Sequence, residues 1–188
     1  MFSDVTLGLN IQLHPRFIGP HVQDYIVGKL IEEVQGTCCD GYSVVTIIAV
    51  DEIGKGRIRD DGSGLTTYPV KYQCKVFQPV EGEIMDVVVT KVTKMGFFSQ
   101  DEDKLCTIFV SDHLIPDDME FQRGEIPYYL SSDGSVKIQE YTQVRLKIVG
   151  SQVDDAKGFF CIGSLRDDFL GVISDAGGAV DSDEGFEP

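Results

Sequence analysis

No tryptophan occurs in these 188 residues, and histidine appears only three times. Basic residues are scarce as well: 16 lysines and arginines stand against 31 aspartates and glutamates, for a net charge of −15. A surface of that sign excludes capture of nucleic acid by charge alone, which needs cations to displace counterions from phosphates. No apolar run approaches the roughly 18 residues of a membrane-spanning helix. The first ten residues, MFSDVTLGLN, have neither the basic start nor the apolar core of an export signal. A soluble, non-exported protein is expected. The five cysteines, at 38, 39, 74, 106 and 161, are odd in number and form no CxxC pair, so neither a disulfide framework nor a zinc site follows. A reducing compartment fits that usage. His14, His21 and His113 lack metal-ligand company, and Asp112-His113 has no serine or cysteine placed as a nucleophile. The acidic clusters at 101–103, 117–118, 154–155 and 167–168 lack the glycine and terminal glutamate of an EF-hand loop and read as solvated turns. Gly54-x-Gly56 is too short for a dinucleotide fingerprint and lacks the lysine-serine or lysine-threonine ending of a phosphate-binding loop. No catalytic residue, metal or cofactor is expected.

What is present is strand periodicity, broken once. Val5, Leu7, Leu9, Ile11 and Leu13 alternate with polar residues, which predicts a strand with one buried face. Val22, Tyr25, Ile26, Leu30 and Val34 recur at helical spacing up to Gly36, a helix terminator. The β-branched run 44–50 reads as a central strand, and residues 51–64, with four glycines, as a mobile loop. In 68–77, Val70, Tyr72, Cys74 and Val76 share one face of a further strand. Pro79 and Gly82 interrupt strand pairing. Beyond them helical periodicity nearly vanishes, and strands are predicted at 84–92, 96–99, 107–110, 135–138, 142–149 and 159–163. The run 84–92 is apolar on both faces, as in a strand deep within a closed sheet.

The fold class expected is an α+β unit over residues 1–80, followed by an all-β barrel of the OB type over 81–173, mainly β overall. Residues 174–188 carry five acidic side chains and no basic one, and read as an acidic disordered tail. Ser182, among acids, is a possible phosphate acceptor, with an inert solubilising tail preferred. A join through Pro79 and Gly82 with few degrees of freedom is expected, since it would fix how the barrel points.

The segments LHPRFIGP (13–20), EVQGTC (33–38), YPVKYQCKVFQPVEGEIMDVVVT (68–90), DDMEF (117–121), VRLKIVG (144–150) and IGSLRDDFLG (162–171) resemble, in this order and at near-constant spacing, a family of RNA polymerase subunits. The family unites the seventh subunit of eukaryotic RNA polymerase II with its archaeal counterpart, known as E-prime, and the likeness is nearer to the polymerase II members. It covers residues 1–173 and implies an N-terminal ribonucleoprotein-like domain and a C-terminal S1-like OB barrel. It further implies a non-catalytic stalk subunit in the nucleus, forming a heterodimer with the fourth polymerase II subunit and docking on the polymerase core near nascent RNA. Two other readings stay open at this point: the equivalent subunit of another polymerase (III or archaeal), and a free S1-type RNA-binding protein. A processing enzyme would need a constellation of nucleophile or carboxylates that the sequence lacks.

Candidate residues follow from the resemblance. Core docking is expected at Pro15, Phe17, Gly19 and Pro20 in one turn, and at Asp51, Ile53, Gly54 and Gly56 in a glycine-bearing loop. Glycines there would let backbone approach a partner, Ile53 would be an apolar anchor, and the prolines would limit the ordering cost. For RNA, S1 modules stack bases on aromatic rings and track phosphates with cations. Candidates are Lys91, Lys94, Phe97, Phe98, Arg145 and Lys147. Phe97 and Phe98 are adjacent, so a strand sends them to opposite faces and one belongs to the core. Met95 and Val110 depart from the aromatic and the histidine many S1 modules carry, which points to weak or moderate RNA binding.

Overall fold

The computed structural model describes residues 1–154 and 158–173, except the Asp154 side chain. The expectations for the tail and Ser182 lie outside that range. The N-terminal unit contains β1 (Phe2–Leu13), α1 (Val22–Val34), β2 (Cys38–Cys39), β3 (Tyr42–Ile53), β4 (Arg57–Ile58) and β5 (Thr66–Phe77). β5 is the centre of its antiparallel sheet, with β1 on one side and β3 followed by β4 on the other. The β1–β5 register runs without a break from Phe2 opposite Phe77 to Leu13 opposite Thr66, as unbroken period-two alternation in both strands requires. α1 lays Ile26, Leu30 and Val34 on Ile11, Leu13, Val44, Val70, Tyr72, Cys74 and Val76, all buried. The helix stops where Gly36 takes φ +78° and its N–H donates to the Val44 carbonyl.

Two expectations are corrected here. β3 is not a central strand: its far side carries only the two-residue β2, and Ile48 is 51% exposed. Three bulges, at Val44/Thr46, Ile47/Ala49 and Val50/Glu52, break its alternation, so its apolar residues do not keep one face. The segment 51–64 is not a plain mobile loop either. β3 continues to Ile53, β4 pairs with β5, and the Arg59 N–H closes a hairpin on the Leu65 carbonyl.

The barrel contains β6 (Ile84–Thr93), β7 (Gly96–Gln100), β8 (Cys106–Ser111), β12 (Gln143–Asp154) and β13 (Gly158–Ser164). Pairing runs β6–β7–β8–β13–β12 and back to β6, with only β8–β13 parallel, which is the closed five-stranded OB circuit. Between β8 and β12 a small sheet is inserted, formed by β9 (Met119–Gln122), β10 (Tyr128–Ser131) and β11 (Lys137–Ile138). β14 (Gly171–Val172) adds to the edge of β12. Sequence periodicity does not reveal β9, β10 or β14. β6 also differs from expectation: it is one-faced, burying Val87, Val89 and Val92 while Ile84 is 58% exposed. A bulge between Val89 and Lys91 explains the shift of the inward set.

The join between the two units is held from both sides. Phe77, the last residue of β5, is buried in the barrel core with its ring edge-on to Phe159 at 6.2 Å, and Val45 of β3 packs against the same cluster. Gly82 has φ +86° and donates its N–H to the Ile148 carbonyl at 2.7 Å. The Met1 ammonium reaches the Gln78 carbonyl at 2.5 Å and the Glu83 carboxylate at 3.0 Å.

Candidate docking and nucleic-acid interfaces

The turn after β1 is a single 3-10 turn, Pro15–Phe17, started by proline and capped by His14, whose Nδ1 accepts from the Arg16 N–H. The Phe17 ring meets that of Tyr25 of α1 at 5.0 Å with a tilt of 48°, and the Arg16 guanidinium lies 4.6 Å above the Phe17 ring. The β4 hairpin returns to this turn: a Cβ on Gly64 would stand 3.3 Å from Pro15 Cγ. Leu65 joins Leu13, His14, Phe17, Tyr25 and Lys29 around a cleft of about 510 Å³. One end of the molecule thus gathers the turn and the hairpin. Large apolar side chains remain open there: Ile18 at 47% and Ile58 at 72% exposure.

The docking candidates divide. Pro15, Phe17, Gly19 and Pro20 lie in this end, with Gly19 and Pro20 exposed. Ile53 is half-buried in the cluster under the sheet, opposite Val70, so it is first a packing residue. Asp51 accepts from the Gln73 amide at 3.1 and 3.2 Å. Gly54 and Gly56 have a reason inside their own chain. A Cβ on Gly54 would sit 2.5 Å from Pro69 Cγ, and one on Gly56 2.6 Å from Tyr68 Cε1. Their smallness admits the close approach of β5. Sequence reasoning misses Ile58 and Ile18, because a two-residue strand and a short turn carry no periodicity.

The RNA candidates also separate. Phe97 is wholly buried in the barrel core and offers no stacking surface, which corrects its place among them. Phe98 faces outward, half-buried, with its ring 4.8 Å from that of Phe109 on β8. Lys91 is its cross-strand neighbour on β6, and Ile162 continues the row on β13. Lys94 sits in the β6–β7 turn, whose Thr93 and Lys94 carbonyls accept from the Tyr129 hydroxyl at 3.0 and 3.2 Å. Burial, with the nearby charge of Asp112, pushes the Tyr129 phenol upward. That clamp comes from the inserted sheet, which strand periodicity does not reveal. Arg145 and Lys147 lie toward the other end of β6, opposite Asp86 and Ile84. Arg145 grips Asp86 with two hydrogen bonds of 2.7 and 2.9 Å, which hold the Asp86 carboxyl below its ordinary range. Lys147 meets Asp167 at 2.7 Å. The anticipated basic strip is therefore paired, whereas neither Lys91 nor Lys94 forms an ion pair among the described residues.

These features define a two-part protein, an α+β unit followed by an OB barrel. Residues 9–64 match the SHS2 domain found in the N terminus of Rpb7p/Rpc25p/MJ0397. The chain is 56% identical over 180 residues to DNA-directed RNA polymerase II subunit 7 of Arabidopsis thaliana, covering 95% of this chain and all of that one. It is 56% identical over 176 residues to polymerase II subunit RPB7 of Glycine max (93% and 98% covered). It is 43% identical over 175 residues to the rpb7 subunit of Dictyostelium discoideum (92% and 99%). The chain belongs to the family of subunit 7 of DNA-directed RNA polymerase II, a non-catalytic subunit.

Proposed function

We propose that this protein is the stalk subunit of nuclear RNA polymerase II that docks on the polymerase core by the end of its N-terminal unit. The carrying observation is the meeting of the residue 14–20 turn with the β4 hairpin, at an end of the unit where Ile18 and Ile58 are both exposed. Exposed isoleucines beside a proline-started turn suit a partner surface, since proline limits the chain entropy lost on docking. Ile58→Asp places an unpaired charge in that contact. The expected result is at least a tenfold loss of co-purifying polymerase subunits with an unchanged circular dichroism spectrum. Retention of the core by the variant overturns the reading.

The fourth polymerase II subunit is the partner proposed for the open side of β1. That strand pairs with β5 along all 12 residues but has no second neighbour among the described residues, and Val5, Leu7 and Leu9 are only half-buried. An open edge with an apolar face is what a companion chain covers. RNA contact is proposed for Lys91, Lys94 and Phe98, supported by two lysines that form no ion pair among the described residues and by the outward ring. The paired state of Arg145 and Lys147, with the overall charge, keeps that contact modest. Placement of a surface near the transcript, not bond chemistry, is the mechanism.

A further inference from the structure

Two of the five cysteines meet inside the barrel. Cys106 begins β8 and Cys161 lies midway along β13, and their sulfurs are 3.1 Å apart, the Cys106 thiol donating to Cys161 Sγ. Register accounts for the meeting. Cys106 stands opposite Phe159 and Cys161 opposite Ile108, and all four side chains are buried, so the cysteines are diagonal neighbours on the inward face. About 1 Å of approach separates the two sulfurs from a disulfide bond of roughly 2.05 Å.

We propose that Cys106 and Cys161 form a reversible disulfide within the barrel when a hydroperoxide oxidises the protein. The Cys161 thiolate attacks one peroxide oxygen. An S–O bond forms, the O–O bond breaks, and the departing oxygen takes up a proton and leaves as water or alcohol. The resulting sulfenic acid is attacked by the Cys106 sulfur. An S–S bond forms, the S–O bond breaks, and the hydroxide released takes the Cys106 proton and leaves as water. Two thiols lose two electrons in all, and the peroxide gains them.

The hydrogen bond sets the order of events. A proton donated by Cys106 favours negative charge on Cys161 and lowers its thiol below the ordinary value, while the same bond together with burial pushes Cys106 up. Cys161 is therefore the attacking group and Cys106 the resolving one. Entry of oxidant requires local opening of the β8–β13 pair that holds both sulfurs. Once formed, the bond would tie positions 55 apart in sequence and lock the two strands together.

The test uses the full-length chain treated with graded hydrogen peroxide, alkylated under denaturing conditions and mapped by peptide mass spectrometry. Cys38 and Cys39, both partly exposed, report the oxidant dose in the same sample. Expected is an intramolecular product lighter by two hydrogens, a Cys106–Cys161 linked peptide pair, and a Tm higher by roughly 5–10 °C, all reversed by dithiothreitol. Cys106→Ser, which keeps a hydroxyl donor beside Cys161, should leave Cys161 as a dimedone-reactive sulfenic acid. Alkylation of both Cys106 and Cys161 after Cys38 and Cys39 are oxidised overturns the proposal, as does a linked pair of different cysteines. The wild-type peptide map decides even if a variant fails to fold.

Discussion

Replacing Phe97 by alanine empties space in the barrel core where its ring is wholly enclosed, at an expected cost of about 3–5 kcal/mol in urea unfolding. The neighbouring Phe98→Ala removes a half-buried ring that touches Phe109 on the outside, and about 1 kcal/mol is expected. The sequence shows that the pair must split between faces but not which way, because that sign depends on the bulge in β6 and the register with β8. A second residue-scale prediction concerns acid. Asp133 accepts from Ser131 Oγ at 2.5 Å, Ser135 N at 3.0 Å and Ser135 Oγ at 2.7 Å. These bonds, that from Ser131 foremost, hold its carboxyl at about 2 against an ordinary 3.8. A folded value below the unfolded one means its stabilisation is present above about pH 4 and is lost as pH falls toward 2. A carbon-detected NMR titration should find that midpoint in the wild type and a return toward the ordinary value in Ser131→Ala.

At the scale of elements, glycine packing sets where the strands meet. Gly96 opens β7 with φ +140°, and a Cβ there would lie 2.0 Å from the Val110 carbonyl oxygen on β8. Gly96→Ala should therefore cost roughly 3 kcal/mol, read as a lower urea midpoint with unchanged slope. β1, α1 and β5 are legible in the sequence because single-period alternation survives over their whole length and each buries one face. β3 reads as central because bulges erase the periodicity that would mark its exposed side. β9 and β10 escape notice because Pro127 and the polar residues between them hide two four-residue strands whose only firm signal is Tyr129, buried beneath the β6–β7 turn.

For the whole molecule, the coupling of its two halves rests on a few residues at the join. Phe77 ends a strand of the N-terminal sheet yet is buried in the barrel core against Phe159. Wild-type protein should melt in one calorimetric transition, and Phe77→Ala should split it into two by loosening the shared contact. A single transition in the variant would show that the backbone bonds around Gly82 and Met1 suffice. The charge distribution also acts at this scale. With −15 spread over the chain and the β12 cations already paired, ionic strength should change RNA crosslinking less than in a basic S1 module.

The sequence by itself determined the α+β unit, the barrel and the family resemblance, since periodicity, punctuation and motif order are properties of the chain read in line. Only the tertiary structure decided which residues are reachable. It enclosed Phe97, paired Arg145 and Lys147 with acids distant in sequence, assigned Gly54 and Gly56 to the packing of β5, and opened Ile18 and Ile58 at one end. Exposure and charge pairing depend on which strands become neighbours. Bulges and closure of the barrel settle that, and neither leaves a periodic mark in the sequence.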